Sequence, residues 1–118
     1  MNGNGGTISS KMVVNEAAKT VMSGPASGVI AAAHTGQSSG IKNIITYDMG
    51  GTSTDVALII GNQPSVSSDL EVEYGMPVHV PMVDVRTVGA GGGSIAKLNL
   101  AGLLEAVSYT HLTLPTKA

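Results

Sequence analysis

No cysteine occurs in the 118 residues, which excludes disulfides and thiolate-held zinc. That absence is compatible with the cytoplasm, where the chain is expected. Phe and Trp are missing and Tyr occurs three times, so a core must be assembled from Val, Ile, Leu, Ala and Met. Small side chains in so short a chain build a marginal core, a first sign of a piece of something larger. Lys and Arg number 6 against 8 Asp and Glu, with no long basic run, so neither nucleic acid nor an anionic membrane surface is an expected partner. The apolar stretches are too short to span a bilayer, and the N-terminus lacks the basic-then-apolar pattern of a secretory signal.

What the chain has in excess is glycine, 16 residues, concentrated around hydroxyls and carboxylates. The stretch Asp48-Met49-Gly50-Gly51-Thr52-Ser53-Thr54-Asp55 lies between two apolar runs, residues 43–47 and 56–60. It reads as a strand, a tight turn and a second strand, with a carboxylate at each end of the turn. Backbone N–H groups in such a turn converge on an anion, and glycine lets the anion come close. Carboxylates hold hard divalent cations directly or through water. In outline this is a site for phosphate and magnesium.

Elsewhere the pattern is coarser. Residues 1–6 read as a turn or loose end, and residues 12–22 as a short helix. Ser23-Gly24-Pro25 is a helix start, with Ser23 as the N-cap and Pro25 in the first turn. The helix continues through the small residues 26–35 and ends at Gly36. Both apolar runs are too apolar for a half-exposed strand, so cover on both faces is expected. Gly61-Asn62 marks a hairpin turn. Residues 65–74 alternate as an edge strand, with Glu71 and Glu73 solvated on one face. Residues 78–81 read as extended, and residues 83–88 and 94–100 as further strands. Residues 106–118 share no periodicity with the rest, resemble a translated cloning tail, and are set aside along with Tyr109 and His111.

Each candidate residue has a plainer reading. Asp48 holds magnesium or orients an attacking group, or it accepts N–H bonds within its own turn. Gly50 and Gly51 admit phosphate oxygens or serve a plain turn. Thr52, Ser53 and Thr54 cannot all reach phosphate, because alternation sends Thr52 and Thr54 one way and Ser53 the other; Thr52 is the first choice. Asp55 is a metal or outer ligand, or a cap for the turn. In Gly89-Ala90-Gly91-Gly92-Gly93-Ser94, four glycines in five positions form either an anion-binding nest or a point where another element crosses close to the backbone. Asp84 and Arg86, two apart on one strand face, either reach the cleft or pair at the surface with each other's neighbours, the structural role being preferred, and His34 and His79 read as ordinary histidines.

Four blocks occur together and in order: Ser23-Gly24-Pro25-Ala26-Ser27-Gly28, Tyr47 through Val56, Pro81-Met82-Val83-Asp84-Val85, and Thr87 through Ala96. In combination they resemble the hydantoinase A/oxoprolinase family, over roughly residues 3–104. The resemblance implies an α/β fold, part of a ribonuclease-H-like domain of the actin/Hsp70/hexokinase superfamily. Its features would be a mixed sheet, a phosphate hairpin and at least one packed helix. It implies ATP and Mg²⁺ as cofactors, and hydrolysis of a cyclic amide or carboxylation of a ketone in a longer parent chain. Residues 1–105 would be part of the ATP-binding domain, carrying the second of two phosphate loops. The N-terminal half of the same chain, and a hydantoinase B-type subunit, would be its partners. Under that resemblance Asp48 and Asp55 are the catalytic candidates, with Asp48 also on the metal. Gly50, Gly51, Thr52, Ser53, Thr54, Gly89, Gly91, Gly92, Gly93 and Ser94 are the cofactor-binding candidates.

Overall fold

The structure is a computed structural model that describes residues 1–68, 70–73, 76–78 and 80–108, with side chains left aside at 70–73, 76–78 and 108. Tyr74, His79, Tyr109, His111 and the side chains of Glu71 and Glu73 therefore lie outside the described residues.

The chain starts in a turn that is tied down rather than loose. Gly3 donates to the carbonyl of Lys19 at 2.7 Å, and its own carbonyl accepts from Val83 at 2.9 Å. The helix expected over 12–22 divides into α1 (Ser10–Val13) and a 3₁₀ turn (Ala17–Thr20). Ser9 caps α1 through its side chain, which accepts from the Lys11 N–H.

Helix α2 (Ser23–Ser38) is the one long helix among the described residues. Ser23 is its first helical residue and not its N-cap. Met22 occupies the cap, with a left-handed φ of 60° and no side-chain cap bond. Pro25 still falls in the first turn, where the missing N–H has no intrahelical partner to lose. The buried residues Ala26, Val29, Ala33 and Gly36 recur at helical spacing and form a narrow stripe of small side chains.

That stripe lies on an antiparallel sheet. Strands β1 (Ile44–Met49) and β2 (Thr54–Ile60) form a hairpin with Asp48 opposite Asp55 and Met49 opposite Thr54. The other edge of β2 is shared end to end by β3 (Gln63–Pro64) and β8 (Val85–Val88). Between them come the short pairs β4 (Val66–Ser67) with β7 (Met82–Val83) and β5 (Leu70–Glu73) with β6 (Met76–Val78). A separate hairpin joins β9 (Ser94–Leu98) to β10 (Leu104–Ser108). Strand β10 takes in residues 106–108, the first three of the segment set aside from the sequence. Every ladder among the described residues is antiparallel. Gly61 and Asn62 both have positive φ, 60° and 64°, the primed turn that suits a two-residue hairpin.

The core gathers Ala26, Val29 and Ala33 of α2 with Ala57, Ile59 and Val83 of the strands. Alternation places residues 44, 46, 48, 55, 57 and 59 toward α2. The opposite face is open: Ile45, Tyr47, Leu58 and Ile60 are exposed by 71%, 66%, 44% and 60%. The expectation that both faces are covered therefore fails within this chain.

Candidate functional site

The β1–β2 turn comprises Gly50, Gly51, Thr52 and Ser53, closed by the Gly50 N–H donating to the Ser53 carbonyl at 2.9 Å. Immediately behind the turn, Asp48 and Asp55 face each other across the strand pair, on the side occupied by α2. Directly opposed residues have Cβ atoms about 5 Å apart, and like charges there repel. Asp55 accepts a 2.6 Å hydrogen bond from the Thr87 hydroxyl, which β8 presents at the matching position. No hydrogen bond or ion pair reaches the Asp48 carboxylate among the described residues.

Both carboxylates open into a cleft of about 310 Å³ between α2 and the end of the sheet. Pro25 and Gly28 of α2, with Thr46 and Tyr47 of β1, line it alongside the two aspartates. A Cβ at Gly28 would lie 4.0 Å from Asp48 Oδ2, so the helix meets the carboxylate at a bare stretch of backbone. No Lys or Arg lines the cleft among the described residues. A polyanion thus meets two negative charges and no basic side chain to offset them. Paired carboxylate oxygens beside an open cleft suit a hard divalent cation such as Mg²⁺, which takes one or two carboxylates and completes its shell with water and phosphate oxygens. No group of three or more His, Asp or Glu that would make a complete protein cage occurs among the described residues.

The second glycine stretch, residues 89–94, lies against the turn. Gly92 N–H donates to the Gly50 carbonyl at 2.8 Å and Gly93 N–H to the Gly51 carbonyl at 2.7 Å. Gly91 N–H donates to Ser94 Oγ at 2.8 Å, and Ser94 N–H to the Gly91 carbonyl at 2.9 Å. Thr54, 2% exposed, donates its hydroxyl to the Ala90 carbonyl at 2.6 Å. A Cβ at Gly91 would fall 2.6 Å from the Gly50 oxygen and 2.8 Å from the Ser53 nitrogen. A Cβ at Gly93 would fall 2.8 Å from the Gly51 oxygen.

These contacts correct two expectations. The N–H groups of Gly91, Gly92, Gly93 and Ser94 already donate within the protein and do not form an open anion nest. The Thr54 hydroxyl proton is likewise engaged. Close backbone crossing, the plainer of the two readings for this stretch, describes its geometry; Gly89 continues from β8 without entering the clamp. Of the turn residues, Thr52 and Ser53 keep N–H groups with no partner among the described residues. Asp84 and Arg86 form an ion pair with each other at 3.1 Å on the open side of the sheet.

Sequence reasoning missed Pro25 and Gly28 as cleft residues and Thr87 as the partner of Asp55. Pro25 and Gly28 belong to the Ser23–Gly28 block, and Thr87 starts the last block. Their motif membership was the available signal.

A family model described as hydantoinase/oxoprolinase matches residues 1–107. The caprolactamase subunit alpha of Pseudomonas jessenii is 43% identical over 103 residues, covering 86% of this chain and 14% of that protein. The acetone carboxylase beta subunit of Xanthobacter autotrophicus is 43% identical over 95 residues, covering 80% of this chain and 13% of that protein. Among solved structures, a nucleotide-free acetone carboxylase, described in connection with ATP-dependent acetone carboxylation, superposes with a TM-score of 0.69 at 35% identity, over 92% of this chain and 15% of that one. The chain thus spans about one seventh of the length of these relatives. With the family matched over nearly the whole chain and the fold shared, this chain belongs to the hydantoinase/oxoprolinase family.

Proposed function

We propose that the chain is part of an ATP-dependent enzyme that opens a cyclic amide, or carboxylates a ketone, after phosphorylating a carbonyl oxygen. An amide oxygen is a poor leaving group until phosphorylated, so positioning phosphates and neutralising their charge is the protein's main task. The turn receives the terminal phosphates through the Thr52 and Ser53 N–H groups and the Thr52 hydroxyl, with Gly50 and Gly51 allowing close approach. Asp48, with Asp55 beside it, would hold Mg²⁺, which would supply positive charge to offset that of the phosphates. Thr87 keeps Asp55 turned toward the cleft. The remainder of the longer chain supplies the opposing wall, a hydantoinase B-type subunit is its partner, and the cytoplasm is its compartment.

The observation that carries this reading is the pair of opposed aspartates on a cleft that no Lys or Arg lines among the described residues. On this wall a polyphosphate is offset by a divalent cation held on the two carboxylates. Titration calorimetry of the full-length polypeptide tests it. ATP with Mg²⁺ should bind, and ATP with a chelator should not. Binding that ignores chelation, or that survives Asp48→Asn unchanged, refutes the assignment. ATPase assays with a hydantoin, 5-oxoproline and a ketone then separate the substrate classes.

A further inference from the structure

We infer that the segment from Thr87 to Ser94 is the backing of the phosphate turn, and that Thr54, Thr87 and Gly91 are positioning residues for the site. The inference rests on the nucleotide reading above for its functional meaning, though its geometry stands without it.

One continuous stretch touches both halves of the site. At its start, the Thr87 hydroxyl donates to Asp55 at 2.6 Å. Three residues on, the Ala90 carbonyl accepts from the buried Thr54 hydroxyl at 2.6 Å. The next turn of backbone clamps the carbonyls of Gly50 and Gly51 through the N–H groups of Gly92 and Gly93. Those carbonyls would otherwise be free to rotate toward the cleft, where their negative ends would repel phosphate. With the Gly51 carbonyl held backward, its planar trans peptide turns the Thr52 N–H the opposite way. A side chain at Gly91 would push the turn away from the clamp, because its Cβ would overlap Gly50 and Ser53. Gly91 and Gly93 are therefore needed for close contact between the two loops. Ser94 closes the stretch on itself by accepting the Gly91 N–H.

The test uses the full-length protein. Hydrogen exchange is followed in peptides covering residues 50–54 and 89–95, first without nucleotide and then with a non-hydrolysable ATP analogue and Mg²⁺. The backing role predicts that 89–95 is protected before nucleotide arrives and changes little afterwards, whereas 50–54 gains protection. Slow exchange at 89–95 that develops only with nucleotide would make the stretch a direct phosphate contact and overturn the inference. Thr54→Val removes the hydroxyl while keeping the shape. It should raise the KM for ATP about tenfold with kcat nearly preserved, the scale of one lost buried hydrogen bond. Thr54→Ser should restore the wild-type value. Equal KM values for Thr54→Val and wild type would also overturn it. If calorimetry detects no nucleotide binding by the wild type, the nucleotide reading fails. Exchange at 89–95 in the nucleotide-free protein, compared between Thr54→Val and Thr54→Ser, then decides the clamp alone.

Discussion

Replacing Asp48 by Asn should make the metal-free chain more stable and the magnesium-loaded chain less so. The two aspartates are directly opposed, and Asp48 is exposed with no partner among the described residues. At about 5 Å separation in a water-like dielectric, two unit charges repel by about 0.8 kcal/mol. Physiological salt, with a Debye length of about 8 Å, reduces this to roughly half. Removing one charge should therefore add ~0.4–0.8 kcal/mol in the absence of divalent ions, a rise of about 2–5 °C in melting temperature for a domain of this size. With Mg²⁺ at ten times its dissociation constant, the wild type gains about 1.4 kcal/mol by mass action, and the variant gains little. The two melting curves should thus exchange order between chelator and Mg²⁺. The assay is thermal or urea denaturation of the 118-residue chain, wild type and Asp48→Asn, under both conditions. A variant that is less stable in chelator would refute the repulsion argument. A wild type indifferent to Mg²⁺ would refute the cation argument.

Ile59 is fully buried between α2 and the sheet, so Ile59→Ala should cost about 2–4 kcal/mol in urea denaturation, while Ile45→Ala on the open face stays within about 0.5 kcal/mol. Leu58→Lys interrupts the open apolar face, and light scattering should record less self-association of the chain without loss of stability. The isolated chain, carrying only one wall of the proposed site, should hydrolyse no ATP above background in a phosphate-release assay.

The parts of the fold set by local chemistry were legible from the residues. The turn between Asp48 and Asp55 follows from its glycines and flanking apolar runs, and Gly61-Asn62 reads as a primed turn because few other pairs accept two positive φ values. The helix from Ser23 was legible, but its cap was not: Met22 takes a left-handed conformation that no propensity scale assigns to methionine. The open face was misread because an apolar strand looks alike whether its cover is present or lies elsewhere in a longer chain. The engagement of residues 89–94 was open to two readings for a different reason. Thr54 and Ala90 are 36 positions apart, and a glycine run carries the same letters whether it meets an anion or another backbone.

The distance along the chain from Thr87 to Ala90 has its own significance. Thr87 must place its hydroxyl on the α2 side of the sheet, while Ala90 must deliver a carbonyl to the end of β2. With β8 held in register by β2, deleting or inserting one residue between them would carry the Ala90 carbonyl away from the Thr54 hydroxyl. Spacing in this segment is therefore under as tight a constraint as composition, and length variation should be tolerated instead beyond Leu98, in the connection to β10.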